Sequence, residues 1–78
     1  MNLYLLSQEE YDGYDTYDAC VVCAATAEDA VKIQPGDEWD KKNNTWTPHP
    51  EAVQVVFIGV AAEDIPEGTV VIGSFNAG

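Results

Sequence analysis

Apolar residues occur in this chain as four short runs of strand length, and turn-forming residues separate each run from the next. The runs lie at residues 2–8, 17–25, 52–60 and 69–75, and strands of about this length are common in small domains. The second run is apolar on both faces at its middle, which is typical of a central strand. The pattern therefore predicts four strands, followed by a polar tail at residues 76–78.

A single helix is predicted between the second and third strands, over residues 27–34. Thr26 is followed by Asp29 at the spacing of an N-terminal capping box, and acidic residues favour the positive end of a helix dipole. Pro35 and Gly36 end the helix, because proline cannot continue the hydrogen-bond ladder. Residues 37–50 fit no regular element and are expected to form an irregular excursion.

The order strand, strand, helix, strand, strand predicts an α+β fold. The simplest architecture is a four-stranded, mostly antiparallel sheet with one α-helix packed on one face. A chain of 78 residues fits one domain of this kind, and residues 1–78 are therefore expected to fold as a unit.

The charge balance limits the classes of partner. The chain has 14 acidic and 3 basic residues, which give a formal net charge of −11. Phosphate backbones and anionic membranes are bound through Lys and Arg, so direct binding to nucleic acid or membrane is excluded. Eleven charges correspond to roughly 19 Å of duplex DNA. The composition therefore favours an acidic DNA mimic, which binds a basic surface of another protein.

Two acidic segments that contain aromatic residues are the predicted contact surface. The first, residues 9–18, alternates Tyr and Asp with a three-residue spacing, and the second, residues 37–40, surrounds a tryptophan with acids. The predicted partner-binding residues are Glu9, Glu10, Asp12, Tyr14, Asp15, Asp18, Asp37, Glu38, Trp39 and Asp40. The alternative is a solvated loop whose tyrosines cover the edge of the core, with Trp39 closing one end of that core.

No constellation of residues indicates catalysis, a metal or a cofactor. Cys20 and Cys23 form a C-x-x-C within a predicted strand, where positions three apart face opposite sides. They are expected to be small buried residues, since a zinc site also needs two further ligands. His49 lies between two prolines without a neighbouring nucleophile. We therefore predict no catalytic residue, no metal site, no cofactor and no enzymatic activity.

The sequence predicts a cytoplasmic monomer. The opening segment, residues 1–6, lacks a basic flank and is too short for the apolar core of a signal peptide. Cysteines in a protein that is not secreted are expected to stay reduced. The expected location is the cytoplasm of a host bacterial cell.

Four segments carry a resemblance to small proteins of phages and mobile elements. They are Tyr14-Asp15-Thr16-Tyr17-Asp18 before Val21-Val22, Glu28-Asp29-Ala30, the Val53-x-Val55 strand that ends in Ile58-Gly59, and the terminal Ser74-Phe75-Asn76-Ala77-Gly78. In size and acidity the chain resembles anti-CRISPR proteins that act on the type I-C CRISPR surveillance complex (Cascade). The resemblance implies binding to the large subunit that recognises the protospacer-adjacent motif, which blocks target DNA. It assigns no role to an individual residue.

The leading hypothesis is therefore an anti-CRISPR-type inhibitor that acts as a DNA mimic. Three alternatives stay open. The target can be another DNA-binding protein, such as a restriction enzyme, a nucleoid protein or a recombinase. The chain can be a self-associating structural phage protein whose acidity serves solubility, or a module that binds a divalent metal through its acidic loop.

Overall fold

The four predicted strands form one antiparallel sheet in the computed structural model, which describes residues 1–76. The strands are β1 (Asn2–Ser7), β2 (Thr16–Ala24), β3 (Gln54–Val60) and β4 (Val70–Asn76), and their order across the sheet is β3-β1-β2-β4. All three pairings are antiparallel. The α+β prediction and the central position of β2 are confirmed. Asn76, predicted to begin a tail, ends β4, and Ala77 and Gly78 lie outside the described residues.

The predicted helix is present but shorter than expected. Helix α1 (Ala27–Ala30) begins at Thr26, whose hydroxyl oxygen accepts a hydrogen bond from the Asp29 amide at 3.1 Å. Beyond it, the amides of Lys32 and Ile33 bond to carbonyls three residues back. Such bonds tighten the last turn into 3₁₀ geometry, so the regular helix ends before Pro35.

Residues 37–50, expected to be irregular, contain a second helix and the start of a 3₁₀ turn, and this turn includes Ala52, which was predicted to begin the third strand. Helix α2 (Glu38–Lys42) is followed by the 3₁₀ turn at Pro50–Ala52. With helices of four and five residues, no part of the chain from residue 1 to residue 76 has a helix long enough to cross a membrane.

The hydrophobic core lies between one face of the sheet and the chain that crosses it. Leu6 and Val22 on the two central strands are fully buried, and Ala30 of α1 packs against the same cluster. Trp46 is also part of this core, with 4% of its surface exposed, whereas 55% of Trp39 is exposed. The two tryptophans therefore have different environments, and Trp39 does not close the core.

The opposite face of the sheet, here called the outer face, is open to solvent. Register pairs Leu5 with Val21 and Val56, and Val21 with Ile72, so that these four residues form one row across all four strands. Leu5, Val56 and Ile72 are 37%, 54% and 65% exposed. The middle of the outer face is thus uncovered, whereas Cys23 at the far end of this face is buried next to the β3–β4 connection.

The two cysteines lie on opposite faces of β2, as the strand periodicity predicted. Cys20 is part of the core cluster, whereas Cys23 pairs with Leu3 and directs its thiol toward the Ile65 carbonyl, 3.8 Å away. Both are free thiols that are 2% or less exposed. Burial raises the pKa of Cys20 to about 11, which keeps the reactive thiolate scarce.

We therefore expect neither thiol to react with Ellman's reagent in the native protein at neutral pH. Both should react at once in concentrated guanidinium chloride, because unfolding exposes them. Absorbance at the thionitrobenzoate band measures the reaction. Rapid reaction of a thiol in the native protein would contradict the burial described for β2.

Candidate functional site

The strand connections gather the longest acidic loops at one end of the sheet. Because the strands are antiparallel, the β1–β2 hairpin loop, the start of β3 and the end of β4 all lie at this end. The register shows this directly, since Ser7 pairs with Ala19 and Gln54, and Ala19 pairs with Ser74. The hairpin loop and the segment before β3 therefore share one end of the molecule.

Helix α2 is attached to this same end through Thr45. The amide and the hydroxyl of Thr45 donate to the Asp40 carbonyl, at 3.3 and 3.2 Å, and the Thr45 carbonyl accepts from the Tyr17 amide at 2.7 Å. Thr45 is 1% exposed. Burial raises the pKa of Tyr17, and the charges of Asp40 and Asp37 raise it further. Both acids are thus close enough to the Tyr17 hydroxyl to affect its ionisation.

A capping box holds the acidic residues of α2 in place. The Asp37 carboxylate accepts from the amides of Trp39 and Asp40, and the Asp40 carboxylate accepts from the Asp37 amide at 2.8 Å. The Asp40 amide, followed by the Asp40 side chain, lowers the pKa of Asp37. Gly36 precedes this cap at a φ of +92°, and a Cβ there would collide with the Asp40 carboxylate. The cap therefore depends on a glycine at this position.

Nine of the fourteen acidic residues lie at this end, which we call the acidic end. They are Glu9, Glu10, Asp12, Asp15, Asp18, Asp37, Glu38, Asp40 and Glu51. The other five, Glu28, Asp29, Glu63, Asp64 and Glu67, lie toward the opposite end, near α1 and the β3–β4 connection. All fourteen except the half-buried Asp40 are exposed. The charge is therefore neither evenly scattered nor confined to one place.

Few of these carboxylates have a basic partner. Within residues 1–76, the ion pairs are Glu38 with Lys41 at 3.9 Å and Glu10 with His49 at 2.6 Å. The first joins two exposed side chains one helical turn apart, and such pairs contribute little stability. Most of the negative charge at the acidic end is thus available to an external cation.

The hairpin loop is organised by a buried glutamine. Gln8 is 3% exposed, and its side-chain amide nitrogen donates to the carbonyls of Tyr11 and Tyr17, at 2.7 and 2.8 Å. Its amide oxygen accepts from the Tyr11 amide at 2.8 Å. One side chain therefore ties both strands of the hairpin to the loop and fixes where the loop acids project.

Glu10 joins the hairpin loop to the segment before β3. Its Oε1 accepts a hydrogen bond from the Thr47 hydroxyl at 2.9 Å and lies 2.6 Å from Nδ1 of His49. These hydrogen bonds, that of His49 first, lower the pKa of Glu10, and the Glu10 carboxylate raises the pKa of His49. Glu10 thus acts as a crosslink, and less of its charge is available to a partner than that of the loop acids.

A solvent-open hollow of about 400 Å³ lies beside this crosslink. Three acids, Glu9, Glu10 and Asp18, contribute to its lining, together with glutamine, serine and alanine residues at or next to the ends of β1, β2 and β3. The space and charge suit a lysine or arginine side chain that enters from outside. Within residues 1–76, no group of three or more His, Cys, Asp or Glu side chains is arranged to hold a metal ion.

All ten residues predicted as the contact surface lie at the acidic end. Tyr14 in the hairpin loop is 80% exposed and Trp39 on α2 is also exposed, whereas Tyr11 and Tyr17 are half-buried. The placement supports the prediction of a shared surface, but the binding role of these residues stays a prediction.

Sequence reasoning missed the residues that build this end. They are Gln8, Thr45, Thr47 and His49. His49, which the sequence places between two prolines without a neighbouring nucleophile, is exposed and paired with Glu10. The only sequence signal for Gln8 is that a polar residue directly follows an apolar run. Exposed residues at strand ends give the same pattern, so the sequence does not show that Gln8 is buried.

Comparison of this chain with protein-family models, with curated proteins and with solved structures finds no match.

We predict that Gln8→Met destabilises the protein by about 1–3 kcal/mol, because buried hydrogen-bonding groups of Tyr11 and Tyr17 lose their partner. The free energy of opening that hydrogen exchange reports at the Tyr11 amide should fall by a similar amount, so this amide should exchange faster. Urea denaturation and hydrogen exchange by NMR measure the two effects. Gln54→Met, at the exposed start of β3, is the matched control and should change stability by less than about 0.5 kcal/mol. Equal effects would show that Gln8 does not organise the loop.

The Glu10–His49 contact predicts a pH dependence. The raised pKa of His49 means that its contribution is fully present below the ordinary value of about 6.5 and is lost as pH rises through the raised value. The lowered pKa of Glu10 gives a contribution that is present above 4.5 and is lost as pH falls through the lowered value. The contact should therefore be strongest between about pH 4.5 and 6.5.

An NMR titration of the His49 imidazole tests this dependence. Glu10→Gln should lower the His49 pKa toward its ordinary value, whereas Glu9→Gln, which removes the neighbouring charge, should leave most of the shift. If both variants lowered the His49 pKa equally, the overall negative charge of this region, and not the 2.6 Å contact with Glu10, would be the cause of the raised pKa.

Proposed function

We propose that this protein is an inhibitor that binds, through its acidic end, the Lys- and Arg-lined DNA-binding surface of another protein. The observation that carries the proposal is the gathering of nine exposed or half-exposed acids at one end of the fold. A surface of this kind attracts a basic groove and repels nucleic acid. The proposed activity is binding, without catalysis, in the cytoplasm where such partners act.

The dimensions of the acidic end support mimicry of a short duplex. The principal extents are 35, 22 and 17 Å, and β2, with nine residues, spans about 30 Å at the usual rise per residue. The strands therefore set the longest dimension, and the acidic end has a cross-section close to the two shorter ones. Nine charges correspond to roughly 15 Å of duplex axis, and the acidic end is 17 to 22 Å across. The acidic end therefore carries a charge per unit length similar to that of duplex DNA.

The fixed backbone of this end favours recognition by charge and shape together. Gln8 holds the hairpin loop, the Asp37 cap holds α2, and Thr45 joins α2 to β2. Acids held in place lose little freedom when a partner binds, and preorganisation of this kind strengthens binding. Exposed Tyr14 and Trp39 add aromatic area beside the carboxylates, which is typical of interface anchors.

The resemblance to anti-CRISPR proteins indicates which partner to test first. We propose the large subunit of a type I-C surveillance complex, at the surface that reads the protospacer-adjacent motif. Restriction enzymes, nucleoid proteins and recombinases present basic grooves of the same chemistry and are the alternative targets.

The test compares two triple variants with equal changes in net charge. Asp12→Asn with Asp15→Asn and Asp18→Asn removes three charges from the acidic end, and Glu63→Gln with Asp64→Asn and Glu67→Gln removes three charges from the opposite end. Binding to the purified type I-C complex is measured by biolayer interferometry at several salt concentrations. The first variant should lower the association rate constant about tenfold at low salt, with a smaller effect at high salt.

The second triple variant should retain most of the association rate, because its charges lie away from the contact. Equal losses in the two variants would show that net charge alone matters. Saturating duplex DNA with the correct motif should prevent binding of the wild-type protein. Formation of a complex that duplex DNA leaves unchanged would refute mimicry.

A further inference from the structure

A shallow hollow on the outer face of the sheet, here called the apolar hollow, has a volume of about 160 Å³. Leu5, Val21 and Ile72 line it, with Ala19 and Ser74 at the side nearer the acidic end. A cavity of about 150 Å³ with apolar walls holds a benzene-sized group. The apolar hollow therefore has room for one apolar side chain of another protein.

The apolar hollow adjoins the hollow of about 400 Å³ beside the Glu10–His49 crosslink, here called the acidic hollow. Ala19 lines both. Ala19 pairs with Ser7, which pairs with Gln54, and these two residues also line the acidic hollow. The apolar row across the outer face lies two residues further along each of these strands, about 7 Å away at the usual rise per residue. The two hollows are therefore parts of one continuous surface.

The charge changes from one hollow to the other. Glu9, Glu10 and Asp18 line the acidic hollow, whereas the residues that line the apolar hollow are uncharged. Glu10 is already bonded to Thr47 and His49. The ion pairs found among residues 1–76 include neither Glu9 nor Asp18. The continuous surface thus offers carboxylates to an external cation on one side and apolar groups on the other.

We propose that the two hollows together bind a segment of the basic partner in which a lysine or arginine lies close to an apolar residue. The cationic group enters the acidic hollow, and the apolar side chain occupies the apolar hollow. Lys and Arg lay their apolar stems along apolar surface while the charged head stays in polar surroundings, which suits a shared wall made of Ala19. This inference rests on the proposed function, because it specifies which part of the basic partner the acidic end receives.

The spacing of the two hollows favours an extended segment with the two side chains at positions i and i+2. Alternate residues of a strand point to the same side and lie about 7 Å apart, which equals the distance between the two rows. Surfaces that read DNA contain such combinations, since Arg and Lys bond to guanine and apolar side chains contact the thymine methyl group. The chemistry of this site therefore fits the same class of partner as the acidic end.

A second copy of this chain does not supply the required segment. Its three basic residues are Lys32, Lys41 and Lys42, and all three lie outside the strands. Its outer face would bring apolar groups to the apolar hollow but no cation to the acidic hollow. Charge complementarity thus selects a basic partner over self-association.

An NMR titration with short peptides tests the site without the partner. The probe is acetyl-Arg-Ser-Leu-amide, and the two controls are acetyl-Arg-Ser-Ser-amide, which lacks the apolar side chain, and acetyl-Ser-Ser-Leu-amide, which lacks the base. At low salt the probe should shift the amide signals of Ser7, Ala19 and Ile72. It should bind at least about fivefold more tightly than either control, because each control leaves one hollow unfilled.

Ile72→Ser tests the apolar hollow in the complex with the partner, since it removes an apolar wall and leaves every acid in place. In biolayer interferometry with the purified type I-C complex, the dissociation rate constant should rise about fivefold. The association rate constant should stay within about twofold of the wild-type value, because long-range charge governs association and local packing governs dissociation. In the peptide titration, the same variant should bind the probe and acetyl-Arg-Ser-Ser-amide with similar affinity.

Val60→Ser is the matched control. Val60 is 74% exposed on an edge strand, as Ile72 is 65% exposed on the other. It pairs with Asn2, whose side chain bonds to Tyr4 on the core side of the sheet, so it lies off the outer face. Its replacement should leave both rate constants within about twofold of the wild-type values. Far-ultraviolet circular dichroism confirms that each variant is folded.

Three results would overturn the inference. They are equal affinity for the three peptides, equal effects of Ile72→Ser and Val60→Ser, and a dimer in sedimentation equilibrium that Ile72→Ser dissociates, which would make a second copy the occupant.

The two proposals fail in different ways. If the type I-C complex does not bind the protein but the peptides bind in the expected order, the choice of that partner is wrong and the combined site stands. If the Asp12, Asp15 and Asp18 triple variant slows association but Ile72→Ser changes neither rate constant, the acidic end binds the partner without the outer face, and only this inference fails.

Discussion

The pairing of β1 with β2 is the interaction on which the rest of the structure depends. These are the two central strands, and they supply Leu6 and Val22, the two largest fully buried side chains of the core. β3 attaches to one side of this hairpin and β4 to the other, while α1 packs across it. The hairpin loop at its end holds the densest acidic segment of the chain. The core and the candidate site are therefore two parts of one hairpin.

This dependence explains how a small core tolerates so much like charge. Two charges 4 Å apart in water repel by about 1 kcal/mol, and the repulsion is far greater where water is excluded. Every acid except Asp40 is exposed, and every acid except Asp18 lies in a loop or a helix and not in the sheet. Water and salt thus screen the repulsion, and the buried pairing of β1 with β2 does not have to oppose it directly.

The strands and the contact residues could be predicted because their signals are local. The alternation of apolar and polar residues, together with the turn-forming residues between the runs, predicted the ends of all four strands to within two residues. The strand order could not be predicted, because the attachment of β3 to β1 rather than to β4 depends on contacts distant in sequence. The two tryptophans could not be distinguished either, since Trp46 is buried only because the chain after α2 folds back over the core.

The second helix was missed for a related reason. Helix α2 has five residues and no buried side chain, so it lacks the amphipathic pattern by which helices are recognised. Its capping box uses Asp40 where Glu or Gln is usual, and its position depends on Thr45 and Tyr17. A helix this short is marginal alone, so it is stable here only through contacts that the local sequence does not reveal.

The open sheet and the acidic ends constrain one another. An exposed apolar face with two free edges is a hazard for aggregation, and neither edge strand contains a charged residue to prevent it. The charges at the two ends of the strands repel a second copy in most orientations, and they act over a Debye length at either end of the face. The acidity that suits a basic partner therefore also opposes aggregation through the outer face.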